Sequence, residues 1–134
     1  MKFPFALLPV AAMLVCSFAA STFAQNLEPV QVGGDAEFDA CASQGQIARL
    51  DPKGDNFLSV RSGPHSKRQE LDRLREGTSV IICEKRGRWL GIVYPAPGTT
   101  TDCGLSSPRT KRSPYTGPCR SGWVFDGFVD VVAG

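Results

Sequence analysis

The sequence predicts an all-β domain, and three observations predict it. From Cys41 onward, short apolar runs of about five residues alternate with clusters of Gly, Pro, Asn, Asp and Ser, at the spacing of roughly 8–12 residues that sandwiches and barrels show. Only residues 66–76 have helical colour. Five cysteines occur in 134 residues, and four of them fall after the apolar N-terminal segment. An even count in a small exported chain implies two disulfides rather than a large core.

The N-terminal segment reads as a secretory signal peptide over residues 1–24. Lys2 is the only charge before Glu28, an apolar run extends from Phe3 to Val15, and small residues then accumulate. Thr22-Phe23-Ala24 puts small residues three and one positions before Gln25, the pattern signal peptidase accepts. A retained membrane helix needs about 20 apolar residues without such decay. A lipid anchor on Cys16 needs a small residue before it, and Val15 is not one. The mature form is therefore expected to lack a membrane anchor and to be periplasmic or secreted.

Residues 25–40 contain Pro29 and Gly33-Gly34 and read as a flexible lead-in. Residues 41–134 form the domain. Gln46 to Leu50 alternates as a half-buried strand does. Asp51-Pro52-Lys53-Gly54-Asp55 is a turn by composition. Phe57 to Arg61 resumes the alternation, with Leu58 and Val60 on one face, until Ser62-Gly63-Pro64 breaks it. Leu71 and Leu74 lie three apart among good helix formers, which predicts a 3₁₀ turn or structured loop over 66–76. Ser79 to Cys83 is the strongest strand signal, Lys85-Arg86-Gly87-Arg88 a hairpin turn, and Trp89 to Tyr94 its partner strand. Residues 95–122 are rich in Pro, Gly, Ser and Thr. Gly122 to Phe125 and Phe128 to Val132 are the closing strands. Trp89 and Trp123 are expected to pack in the core, as Trp does in small domains.

Loss of residues 1–24 leaves Cys41, Cys83, Cys103 and Cys119, with three possible connectivities. No two sit at the C-x₂₋₄-C spacing of zinc sites, so disulfides are expected and no metal. Cys103 and Cys119 bracket a proline-rich loop with too few apolar residues to hold itself, which favours their pairing. Cys41 with Cys83 then follows by elimination, and a Cys41–Cys103 or Cys41–Cys119 link is the alternative.

Charge excludes little overall. Of 15 basic residues only Lys2 leaves with the signal, so 14 face 13 acidic ones. The distribution is uneven: residues 25–48 hold four acids and no base, whereas 109–120 hold Arg109, Lys111, Arg112 and Arg120 and no acid. Lys67-Arg68 begins a second basic stretch. Catalytic constellations are lacking. His65 is the single histidine and sits in a Gly-Pro turn, no G-x-S-x-G elbow or glycine-rich phosphate loop occurs, and Asp51 and Asp55 share a solvated turn. The chain is expected not to be an enzyme and to need no cofactor. The basic loops with Phe57, Trp89 or Tyr115 could stack bases, but export removes most nucleic acids, so these are not the expected partner.

Four segments in order resemble the bacterial SH3 domain family. Leu58-Ser59-Val60-Arg61-Ser62-Gly63-Pro64 is similar to its "L-N-V-R-S-G-P" signature, and Leu74 with Gly77-Thr78-Ser79-Val80 to its "L-x-x-G-t-x-V" segment. Gly87-Arg88-Trp89 is similar to "G-x-W", and Gly122-Trp123-Val124 with Phe128-Val129 to the closing "G-W-V…y-l". The resemblance covers residues 47–132 and implies a small SH3-like β-barrel. Two features depart from the family: the 94–121 insertion before the last strands, closed by its disulfide, and the cysteines at 41 and 83. The resemblance implies a non-catalytic binding module of the cell envelope that recognises a cell-wall (peptidoglycan) peptide or an envelope protein. Phe57, Arg61, Arg88 and Tyr94 are the expected ligand-binding residues, with Arg61 suited to a peptide carboxylate. The alternative is an interaction or inhibitor protein acting through the 94–121 loop, since long loops on small scaffolds often carry function.

Overall fold

Period-two alternation carries directly into strands. The computed structural model describes residues 2–4 and 27–134; apart from residues 2–4, the expected signal peptide, with Cys16, lies outside the described residues. Eleven strands follow one another: β1 (Gln31–Val32), β2 (Asp35–Asp39), β3 (Ser43–Ile47), β4 (Leu58–Arg61), β5 (Glu70–Leu74), β6 (Ser79–Arg86), β7 (Trp89–Tyr94), β8 (Pro108–Arg109), β9 (Ser113–Pro114), β10 (Arg120–Phe125) and β11 (Val129–Ala133). A single 3₁₀ turn, Asp126–Phe128, separates the last two. Among the described residues no helix is long and apolar enough to cross a membrane.

Seven strands form one antiparallel sheet in the order β11-β3-β6-β7-β10-β4-β5. Its two edges, β11 and β5, do not pair with each other, so the hydrogen-bonded ladder is open. The β6–β7 hairpin closes through a two-residue turn, Gly87-Arg88, because Arg86 pairs with Trp89. Gly87 alone has positive φ there, 57°, at the first turn position, as a type II′ turn requires. At Gly122 the reason for glycine is space. A Cβ there would meet Val60 Cγ1 at 2.4 Å and the Arg61 carbonyl at 3.0 Å, where β10 passes β4.

Alternation divides the apolar residues between two cores. Leu58 and Val60 of β4, Leu90, Ile92 and Tyr94 of β7, Val124 of β10, and Ile47, Leu74, Val80 and Val129 fill the first. Val93 of β7 and Trp123 of β10 point the other way and would be bare without a second layer. The chain supplies that layer from its two irregular segments. Val30, Val32, Ala40 and Cys41 come from the N-terminal side, and Cys103, Leu105 and Tyr115 from the insertion. The two segments are stitched together by β1 against β9 and β2 against β8.

This corrects the expectation of a flexible lead-in over 25–40. Val30 and Val32 are each 1 % exposed. Their spacing of two is a short strand's inward face, and the polar residues around them hide it. The structure also places a strand, β5, where residues 66–76 read as a 3₁₀ turn or loop. Leu74 is buried there, but Leu71 is 42 % exposed. The inward partners of Leu74 are Glu70 and Asp72, at spacings of two, and their charge masks the strand period.

Both disulfides join the residues whose pairing was favoured. Cys41 is bonded to Cys83 with Cα atoms 4.5 Å apart, and Cys103 to Cys119 at 5.3 Å. The first fastens the N-terminal segment to β6. The second closes the insertion, where the Tyr115 hydroxyl donates to the Cys103 carbonyl (2.9 Å) and accepts the Cys119 N–H (3.1 Å).

The half-buried polar groups on β5 are paired. The Tyr94 hydroxyl donates to Asp72 Oδ2 at 2.9 Å, and Arg120 Nη1 reaches the same oxygen at 3.0 Å. Burial pushes the Asp72 carboxyl up, but the Arg73 N–H, the Tyr94 hydroxyl and Arg120 together outweigh it and hold Asp72 below its usual value. Burial, then the Asp72 carboxylate, push the Tyr94 phenol well above 10.0. The Tyr94 contribution is complete below pH 10.0 and is lost as pH rises toward the folded-state value; that of Asp72 is complete above pH 3.8 and is lost on acidification. Urea midpoints measured against pH test this. Wild type is expected to lose stability above pH 10.0 more steeply than Tyr94→Phe. At neutral pH, Tyr94→Phe is expected to be about 1–2 kcal/mol less stable through loss of the hydrogen bond to Asp72. Parallel alkaline limbs would refute the assignment.

Candidate functional site

Four aromatic side chains meet at one groove. Trp89 starts β7, Phe125 ends β10, Phe128 ends the 3₁₀ turn, and Phe57 precedes β4. The groove has a volume of about 300 Å³ and is also lined by Leu50 and Arg61. Trp89 and Phe125 face each other across the β7–β10 register and pack edge to face, with centroids 5.8 Å apart and planes at 75°. Phe128 continues the row, 6.3 Å from Phe125. All four are half-buried: each packs on the sheet with part of its ring and leaves the rest to solvent. A neighbouring depression shares Ser66, Trp89 and Phe125 with the groove and is walled by His65, Lys67 and Arg68.

The expected ligand-binding set is partly assembled here. Phe57 and Arg61 line the groove. Arg88, on the hairpin turn, borders it: Nε lies 2.8 Å from Asp126 Oδ1, and the guanidinium lies 4.9 Å from the Phe125 ring centroid. Tyr94 does not join them. It is 1 % exposed, packed with Leu90 and Ile92 at spacings of two along β7, and its hydroxyl is taken by Asp72. It borders a separate cavity of about 380 Å³ between β5 and residues 95–99. Sequence reasoning assigned Trp89 to the core and passed over Phe125 and Phe128. The signal was available, since Phe125 lies two residues beyond the fully buried Trp123, where a strand side chain runs out past the core.

The groove's walls are held in place. Ser62 donates its N–H to the Gln69 carbonyl, His65 to Gly63 and Arg68 to His65, which makes the 62–69 loop a defined structure. Arg61 Nη1 donates to the Arg68 carbonyl at 3.0 Å. From behind, Glu28 accepts from Arg68 at 2.6 Å and Arg86 at 3.0 Å, while its N–H bonds the Ser62 carbonyl.

The insertion stays clear of this groove. No residue of 95–121 lines it: Leu105, Tyr115 and the Cys103–Cys119 bridge pack around Trp123 and Val93, farther along the face that Trp89 and Phe125 share. Its arginines are also engaged: Arg112 with Glu84 at 2.7 Å, Arg120 with Asp72 at 3.0 Å, and Arg109 with the Gly104 carbonyl. Among the described residues no cluster of His, Cys, Asp or Glu has metal-binding geometry.

No protein-family model, curated protein or solved structure matches this chain.

Proposed function

We propose that the chain is a non-catalytic binding module of the cell envelope, periplasmic or secreted, built on a bacterial SH3-like barrel. It holds an extended peptide segment, from the cell wall or from an envelope protein, in the aromatic groove. One observation carries the reading: four aromatic side chains from three separate segments, Phe57, Trp89 and Phe125 with Phe128, converge on a single groove beside a fixed loop. An extended peptide suits it, because half-buried aromatic rings offer apolar contact at low entropic cost. The order of the pieces also supports the barrel: a hairpin-bearing loop between β3 and β6, a tight turn before Trp89, and a 3₁₀ turn before the last strand. The two disulfides fit an oxidising compartment. The loop reading of function has less support, since the insertion spends its apolar residues covering the Trp123 face.

Retention on purified peptidoglycan, set against crosslinking to envelope proteins identified by mass spectrometry, tests the reading. One of the two is expected to capture the wild-type protein and to lose it on Trp89→Ala, at a stability cost of only about 1–2 kcal/mol for a half-buried ring. Capture that survives Trp89→Ala but disappears when residues 95–99 are replaced would move the function to the insertion.

A further inference from the structure

Half of the 109–120 stretch is paired, Arg112 with Glu84 and Arg120 with Asp72; Arg109 and Lys111 have no carboxylate within ion-pair distance but line neither the groove nor its adjoining depression. In the 61–68 region Arg68 is paired with Glu28, but neither Arg61 nor Lys67 has a carboxylate within ion-pair distance. Lys67 is exposed, and His65 lies beside it. Among the residues lining the groove and its adjoining depression, Asp55 is the only acid, against Arg61, Lys67 and Arg68. The trough thus has an apolar aromatic floor and a cationic end on a loop that is already ordered.

We infer that the groove's ligand is an acidic peptide segment, with apolar residues on Trp89, Phe125 and Phe128 and a carboxylate at the Arg61–Lys67 end. This rests on the groove being the binding surface. Arg61 is suited to the carboxylate because the Arg68 carbonyl fixes its guanidinium at the groove wall, so little freedom is lost on pairing. A single-stranded nucleic acid would also be anionic, but it needs open ring faces for stacking. Phe57 already carries the Arg73 guanidinium over its ring at 4.1 Å, and Phe125 carries Arg88 at 4.9 Å. Those two faces are taken.

The chain's two tryptophans make the test direct. Trp123 is fully buried and Trp89 lines the groove, so intrinsic fluorescence reports on Trp89. The protein is titrated with poly-L-glutamate, polyproline and oligo-dT. Saturable quenching by poly-L-glutamate, weakened by salt, is expected. Arg61→Glu with Lys67→Glu should reduce that affinity at least about tenfold, with near-ultraviolet circular dichroism unchanged. Lys111→Glu, in the other basic stretch, should leave it unaltered. Response to polyproline without response to poly-L-glutamate would overturn the acidic ligand and leave the groove standing. Tighter binding of oligo-dT would overturn the peptide assignment, as would poly-L-glutamate binding that survives the double reversal. No response to any probe, with Trp89→Ala also without effect on peptidoglycan or envelope capture, would remove groove and inference together.

Discussion

Trp123→Ala is expected to destabilise the protein by about 3–5 kcal/mol. Trp123 is fully buried, at the centre of the layer that joins the sheet to the N-terminal segment and the insertion. Its indole N–H donates to the Glu28 carbonyl at 2.7 Å, a bond spanning 95 residues, and Arg86 lies over its ring at 4.8 Å. Truncation opens a cavity against Val30, Val32 and Val93 and leaves the Glu28 carbonyl without its donor. For a domain of about this size each kcal/mol moves the melting temperature by about 4–8 °C, so calorimetry should show a drop of tens of degrees or no folded protein. Trp123→Phe keeps most of the apolar volume and is expected to fall between the two. The contrast with Trp89→Ala is the informative part, since that variant should melt only about 4–16 °C below wild type and lose its ligand. A Trp123→Ala protein with wild-type melting would remove Trp123 from the core.

Removal of the Cys41–Cys83 bridge, as Cys41→Ala with Cys83→Ala, is expected to cost about 4 kcal/mol in the chain-entropy model for its sequence separation of 42. The Cys103–Cys119 bridge, with a separation of 16, is expected to cost about 3 kcal/mol. The first should also loosen more structure, because it is the covalent link between the N-terminal segment and β6. Denaturant midpoints of the two double variants rank the costs, and peptide mapping without reduction checks the pairing. Equal stability of the reduced and oxidised protein would show that hydrogen bonding and packing alone hold the back layer.

Legibility in the sequence followed the contrast between apolar and polar positions. β4 and β7 could be read because Leu58 and Val60, then Leu90 and Ile92, alternate with non-core positions. β5 could not, because two of its inward positions are Glu70 and Asp72, whose charges are satisfied by Arg73 nearby and by Ser59, Tyr94 and Arg120 distant in sequence. The back layer was illegible for a related reason. Val30 and Val32 are two apolar residues among polar ones, and nothing local says that Leu105 and Tyr115 lie beneath them. Of the site, Phe57 and Arg61 were legible as outward neighbours of the β4 alternation. Tyr94 was misassigned by its aromatic type, although its spacing from Ile92 and Leu90 places it inside. Phe125 could have been read from its spacing of two from Trp123, but Phe128 belongs to the groove only because the 3₁₀ turn folds the chain back past Phe125, which no spacing reveals.

The stitching of the back layer has a consequence for the order in which the protein is made. Gln31 pairs with Pro114, Asp35 with Arg109, and the Glu28 carbonyl with the Trp123 indole. A chain that emerges N-terminus first therefore exposes Val30 and Val32 long before their partners exist, and the β6–β7 hairpin is synthesised while those residues wait. Contacts of such long range close late and slowly. The Cys41–Cys83 bridge spans the first half of that gap. If it forms as soon as β6 appears, it keeps the early segment on the correct face of the sheet until the last strands arrive to cover it.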